Sequence, residues 1–335
     1  MRQLIAAVLL ALTVSACATP RLRSAEASRI AGRTYVVVGA SSGFGRGFAV
    51  RLGQQRARVV LAARRAELLE EVAAEVRAGG GEALVVPTDV SDAAQVEALA
   101  QAAVARFGRI DVWANIAGVG VFGRFWEAPV AAHARVVDVN LTGLMLGSHA
   151  ALRQFVKQGG GTLVNMGSVE SVVPLAYHSS YAATKAGVLS LGRSLNQELR
   201  HAGHGKTIKV ATVMPWAADT PFFDHAANYT GHRGRMIIPD GPEKIVEALL
   251  WVSLHPREEL PVGWKARGAV AAHWLLPDLT ERISANIQRA EFRKAAPLPP
   301  TPGAVHRPTA EGRGVDGGLR ARMKAEDAAR KAKAR

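Results

Sequence analysis

At 335 residues with 48% hydrophobic and 21% charged side chains, the chain carries ample apolar material for a large buried core, which excludes a disordered polypeptide. A single cysteine, Cys17, excludes an intrachain disulfide. The net charge of +14 invites a nucleic-acid reading, but eleven Lys/Arg against four Asp/Glu lie from Arg293 onward, so half of that charge belongs to a tail and no nucleic-acid partner is expected.

In chain order, Arg2 precedes the apolar run Leu4 to Val14, too short to span a bilayer but suited to a signal-peptide core. Val14-Ser-Ala-Cys17 resembles a bacterial lipobox, in which the cysteine is lipidated and becomes the mature N-terminus; an alanine-rich leader with an incidental cysteine is the competing reading. Residues 1–17 are therefore read as a leader and 18–32 as a linker. Tyr35 to Val38 is a first strand, followed by a glycine turn and the helical pattern of Phe48, Ala49, Val50 and Leu52. Arg58 to Ala63 is a second strand, Glu67 to Arg77 an amphipathic helix ended by three glycines, and Ala83 to Val86 a third strand. Ser91-Asp92 caps a helix through Phe107, and Ile110 to Trp113 is a fourth strand. Pro129 opens one long helix through Gln158, Gly161 to Asn165 is a fifth strand, and Ser180 to His201 is a helix. Ile208 to Val213 is a sixth strand and Glu259 to Val262 a seventh, flanked by helices over Pro242 to Leu254 and Lys265 to Ile287. Such alternation implies an α/β domain over 33–290, a parallel sheet of about seven strands with helices on both faces. Residues 291–335 open on Pro297-Leu-Pro-Pro-Thr-Pro302 and end in a basic run, the composition of a disordered tail; an anionic membrane surface suits it better than a nucleic acid. No Cys/His spacing suits zinc, and no metal is expected.

Three stretches carry chemistry. Tyr181-Ala-Ala-Thr-Lys185 sets a phenol and an ammonium on one helix face, and a nearby cation favours the phenolate, which makes an acid/base device. Gly39-Ala-Ser-Ser-Gly43-Phe-Gly45 joins a strand to a helix start, where free N–H groups attract a pyrophosphate, although its spacing departs from the common Gly-x-Gly-x-x-Gly fingerprint. Ser168 lies thirteen residues before Tyr181.

Together with Asn115-Ile-Ala-Gly118, Asn140 in Val139-Asn-Leu-Thr-Gly143, and Pro215 to Thr220, these motifs resemble, in order, those of the classical short-chain dehydrogenase/reductase family. The resemblance runs from about Arg33 to about Leu276 and implies a single doubly wound, Rossmann-type domain, with homo-oligomers common in the family. It implies that Tyr181 is the general acid/base, that Lys185 lowers its pKa and contacts the nicotinamide ribose, that Ser168 hydrogen-bonds the substrate oxygen, and that Asn140 holds a water linking Lys185 to solvent. The implied cofactor contacts are Gly39, Ser41, Ser42, Gly43, Phe44, Gly45, Asp89, Val90, Asn115, Ala117, Gly118, Tyr181, Lys185, Pro215 and Thr220. At the end of the second strand, Ala62-Ala63-Arg64-Arg65 lacks the acid that would accept from an adenosine ribose, and Arg64 is placed to pair with a 2′-phosphate, so NADP(H) is favoured over NAD(H).

Trp216 stands where the family usually has glycine and narrows the expected nicotinamide end. Val119 to Phe122, Phe125, Trp126, Phe222, Phe223 and Tyr229 occupy stretches that line substrate pockets in the family, with the core as their other destination. The reading is an oxidoreductase for apolar or aromatic carbonyls and alcohols. A non-catalytic nucleotide-binding module at a membrane is the alternative. A lipidated Cys17 implies membrane association, whereas a nicotinamide cofactor implies the cytoplasm.

Overall fold

The computed structural model describes residues 20–333, so the leader and Cys17 lie outside the described residues. Seven strands, β1 (Thr34–Val38), β2 (Arg58–Ala63), β3 (Glu82–Pro87), β4 (Val112–Asn115), β5 (Gly161–Met166), β6 (Ile208–Pro215) and β7 (Glu259–Val262), pair in parallel in the order β3-β2-β1-β4-β5-β6-β7. β1 reads Thr-Tyr-Val-Val-Val and is buried throughout, as expected for a central strand covered on both faces. Side-chain alternation divides the core. Tyr35 and Val37 of β1 and Val59 and Leu61 of β2 join one cluster, while Val36, Val38, Val60 and Ala62 join the other.

Helices α1 (Gly43–Gln54), α2 (Ala66–Ala78), α3 (Ala93–Phe107), α4 (Val130–Val137), α5 (Gly143–Gln158), α6 (Ser179–His201) and α7 (Pro242–Leu254) supply the two covering layers. Asp92 caps α3, its carboxylate accepting from Ala94 N at 2.9 Å and Gln95 N at 3.2 Å. The long helix expected from Pro129 runs through to Gln158 and contains a π turn over Asp138–Thr142 between α4 and α5. The helix expected over Lys265 to Ile287 is also two, α8 (Gly263–Leu275) and α9 (Pro277–Lys294). Pro277 lacks an N–H and drives Leu276 out of the helical region, to φ −142° and ψ 71°. No helix among the described residues is long and apolar enough to cross a membrane.

The tail departs most from the sequence-based expectation. Described through Lys333, it packs back over the domain and ends in helix α10 (Leu319–Lys333). Phe292, Val305, Leu319 and Met323 are buried, and Asn228 exchanges backbone hydrogen bonds with Thr301. Charge fixes the end of the chain. Arg235, 1% exposed, pairs with Glu291 of α9 at 3.2 Å and with Glu326 and Asp327 of α10 at 2.5 and 2.8 Å. The tail's low hydrophobicity concealed this, because it is held by a few spaced apolar side chains, by carbonyls and by carboxylates drawn to a buried cation.

Candidate active site

The carboxyl ends of the parallel strands open into one cleft, the position at which ligands bind in open α/β sheets. One end is floored by the turn between β1 and α1. Gly39 there has φ 93°, and a Cβ on it would lie 2.6 Å from Ala117 N; on Gly45 it would lie 2.1 Å from the Gly39 carbonyl oxygen. Only glycine permits so tight a turn, and it brings to the cleft the N–H groups at the start of α1, which favour an anion; that of Gly43 is taken by the Gly314 carbonyl at 2.9 Å. Gly39, Ser41, Ser42, Gly43, Phe44 and Gly45 line this end, with Arg64 and Arg65 beside them and Thr220 against Gly43; Asp89, Val90, Ala117 and Gly118 also line the cleft, as do Ser168, Tyr181, Lys185 and Pro215.

Two expected residues stay outside it. The side chain of Asn115 is spent behind the sheet: its Oδ1 accepts from Trp113 Nε1 at 2.8 Å and its Nδ2 donates to Asn165 Oδ1 at 3.0 Å, so it ties β4 to β5. Asn140, in the π turn, is fully buried and grips the backbone of Val119, accepting from its N–H and donating to its carbonyl at 2.8 Å each. This supports the segment carrying Gly118, one of the cleft-lining residues. Asp89 does line the cleft, with Arg135 Nη2 donating to its carboxylate at 2.7 Å.

At the end that holds Ser168 and Lys185, Tyr181 is partly buried, and desolvation together with the Glu170 carboxylate raises its phenol above the ordinary tyrosine value, while a hydrogen bond with Ser168 pulls it down. The expected depression by Lys185 is absent from these influences. Lys185 Nζ stands 5.4 Å from the centre of the phenol ring and donates to the Met166 carbonyl at 2.7 Å. Burial brings the Lys185 ammonium itself down to about 8, against a smaller upward pull from Glu170. Ser168 is fixed by its own backbone, since its Oγ accepts from Glu170 N at 3.1 Å.

Sequence reasoning missed a pair at this end. His178 is sandwiched between Phe122 and Tyr181, with ring centres 4.3 and 4.1 Å away, and its Nδ1 faces the Glu170 carboxylate at 3.0 Å. Glu170 follows Ser168 by two residues and His178 precedes Tyr181 by three, so proximity to both motifs was the available signal. Of the expected aromatic wall, Val119, Phe122, Phe222 and Phe223 line the cleft, as does Trp216, whose Nε1 donates to Ile237 O at 3.0 Å. Phe125 and Trp126 are instead 55% and 80% exposed, and Tyr229 packs against the core.

A doubly wound sheet whose switch-point cleft holds a glycine turn at one end and a buried serine and lysine beside a partly buried tyrosine at the other defines a nucleotide-dependent oxidoreductase. Residues 33–229 match the family model for short chain dehydrogenase, and the chain belongs to that family. It is 35% identical over 233 residues to 3beta-hydroxysteroid dehydrogenase 1 of Eggerthella lenta, covering 66% of this chain and 87% of that one. A short chain dehydrogenase/reductase of Burkholderia phymatum in complex with NAD aligns with a TM-score of 0.65 and 27% identity, over 80% of this chain and 98% of that one. An alcohol dehydrogenase of Thermococcus sibiricus complexed with 5-hydroxy-NADP aligns with a TM-score of 0.59 and 27% identity, over 68% and 94%. The protein is thus an oxidoreductase that interconverts a carbonyl and an alcohol of a small molecule, and its family binds a nicotinamide dinucleotide.

Proposed function

We propose that this enzyme uses NADP(H) and acts on an apolar or aromatic ketone, aldehyde or alcohol. The observation that carries the proposal is the convergence of Ser168, Tyr181 and Lys185 on one end of a cleft whose other end holds Arg64 and Arg65. The cleft fits such a cofactor. Its floor is glycine backbone at a helix start, and neither arginine has a carboxylate within ion-pairing distance among the described residues, which leaves cationic charge for a phosphate. When bound, a nicotinamide cofactor supplies or accepts the hydride.

The chain's own groups manage the proton and the developing charge. As a carbonyl is reduced, negative charge builds on its oxygen; the Tyr181 hydroxyl gives that oxygen a proton, and the Ser168 hydroxyl donates a second hydrogen bond. Burial keeps the phenol protonated, the form reduction requires. Lys185, charged below about 8, steadies the phenolate left behind. Phe122, Phe222, Phe223 and Trp216 supply the apolar wall for the substrate body, in keeping with the hydroxysteroid named for the Eggerthella relative. Consumption of NADPH across a panel of cyclic and aromatic ketones tests the reading, and absence of turnover with any member would reject it.

The cofactor preference has its own test. Replacing Arg64 with alanine is expected to weaken NADPH about 10- to 100-fold and to leave NADH within a few-fold, since only the phosphate contact is charge-assisted. Fluorescence titrations with both cofactors measure this, and equal losses would reject the preference.

A further inference from the structure

The segment between Ala304 and Arg320 crosses the adenosine end of the cleft, and it does so chiefly with backbone carbonyls. Arg64 donates from Nη2 to Ala304 O at 3.0 Å and from Nη1 to His306 O at 3.1 Å. Arg65 Nη1 donates to Thr309 O and Glu311 O at 3.2 and 3.1 Å, and its Nη2 to Ser41 Oγ and Ser42 Oγ at 3.2 and 3.1 Å. Further on, Gly43 N, at the start of α1, donates to Gly314 O at 2.9 Å, and Arg46 Nη1 to Arg313 O at 2.7 Å. The Asp219 carboxylate then anchors the far end by accepting from Leu319 N at 2.7 Å and Arg320 N at 3.0 Å. Ala304, Pro308 and Thr309 form part of the cleft wall itself.

We propose that this strap determines cofactor choice by competing with the 2′-phosphate of NADP(H) for the N–H groups of Arg64 and Arg65. The proposal rests on the nicotinamide-cofactor reading above. Both terminal nitrogens of both guanidiniums are occupied, but by neutral oxygens. Carbonyls satisfy the hydrogen bonds and leave the charge uncompensated, whereas a phosphate satisfies both and forms the stronger, charge-assisted bonds. The strap's advantage is tethering, because it is anchored at Asp219 and acts at a high effective concentration. An incoming 2′-phosphate must therefore displace it, and the apparent affinity for NADP(H) is reduced by the fraction of molecules with the strap docked. NAD(H), with a 2′-hydroxyl and no need of the guanidinium charge, does not meet this competition at Arg64 and Arg65; the Gly314 carbonyl on Gly43 N opposes both cofactors alike.

Two glycines allow the strap to be released without altering Arg64, Arg65 or α10. Gly312 has φ 66°, and a Cβ on it would lie 2.2 Å from His225 Nε2; on Gly317 it would lie 2.3 Å from the Thr220 carbonyl oxygen. The Gly312→Val/Gly317→Val variant is expected to bind NADPH about tenfold tighter than the unmodified enzyme, with a smaller gain for NADH from the release of Gly43 N. In the unmodified full chain, hydrogen–deuterium exchange of amides 304–311, the part that faces Arg64 and Arg65, is expected to speed up on addition of NADPH and to stay constant with NADH. Unchanged or weaker NADPH binding by a folded variant, or protection of the strap by NADPH, would overturn the strap proposal while leaving the cofactor reading intact. Binding of neither cofactor by the unmodified enzyme would overturn the cofactor reading and the strap proposal with it. If the variant does not fold, the exchange measurement decides alone.

Discussion

Replacing Tyr181 with phenylalanine is expected to lower turnover about 10³-fold and to leave NADPH affinity within a few-fold. The substitution removes one oxygen and preserves the ring, so the packing against His178 and Phe222, with ring centres at 4.1 and 5.5 Å, is retained. What disappears is the proton donor for the substrate oxygen. The Ser168 hydroxyl remains to stabilise charge there, and it accounts for the residual rate. Single-turnover kinetics separates the chemical step from binding; a variant that keeps most of the wild-type rate constant would require another proton donor.

Lys185→Met is expected to divide stability from activity. In the wild type the ammonium is buried, and its pKa falls from 10.5 to about 8, so the folded state disfavours the charged form. At roughly 1.4 kcal/mol per unit, that disfavour is about 3 kcal/mol, and the lost hydrogen bond to Met166 takes back about 1 kcal/mol. The variant is therefore expected to be about 2 kcal/mol more stable near neutrality and to lose about 10²-fold in turnover. The pH dependence carries a definite sign. Because the folded pKa lies below the unfolded one, the unfolded chain binds the additional proton between them, and wild-type stability rises with pH across that interval. The penalty is fully present below about 8 and fades toward 10.5, so the variant's advantage is largest at neutral pH and shrinks on going alkaline. Denaturation curves of both proteins at several pH values measure this difference, and a variant no more stable than wild type at neutrality would mean that the lysine carries no burial penalty.

The sheet was legible because its strands are short runs rich in valine, leucine and isoleucine between turn signals, a pattern that periodicity alone reads well. Glu259 to Val262, the weakest such run, matches the observed strand residue for residue. The interrupted helices were harder. Pro277 was a visible breaker, but the apolar residues on both sides of it, Trp274 to Leu276 and Leu279, sustained the appearance of a single helix, and they prove to be exposed. No residue type marks the π turn at Asn140. At the site, motif spacing located Ser168, Tyr181 and Lys185, whereas side-chain direction decided the asparagines: Asn115 and Asn140 sit at the expected positions and turn inward to the protein. His178 and Glu170 belong to no spacing rule; in the sequence only their nearness to Tyr181 and Ser168 marks them, and tertiary contact pairs them. The tail was misread for a related reason, since composition reports how much apolar surface a segment has and says nothing about a cation elsewhere waiting for its carboxylates.

That cation gives the enzyme an Achilles heel in acid. Arg235 immediately precedes Met236 and Ile237, which form part of the cleft wall, and its counter-charges come from α9 and α10. The Asp327 carboxyl is held below its usual range by Arg235 and Arg330, so its share of the bond persists at mildly acidic pH and is lost as pH falls through that lowered value. Once Asp327 is neutral, a guanidinium 1% exposed has lost one of its three counter-charges. Acidification is thus expected to loosen the seam around this one side chain first, with the parallel sheet still standing behind it.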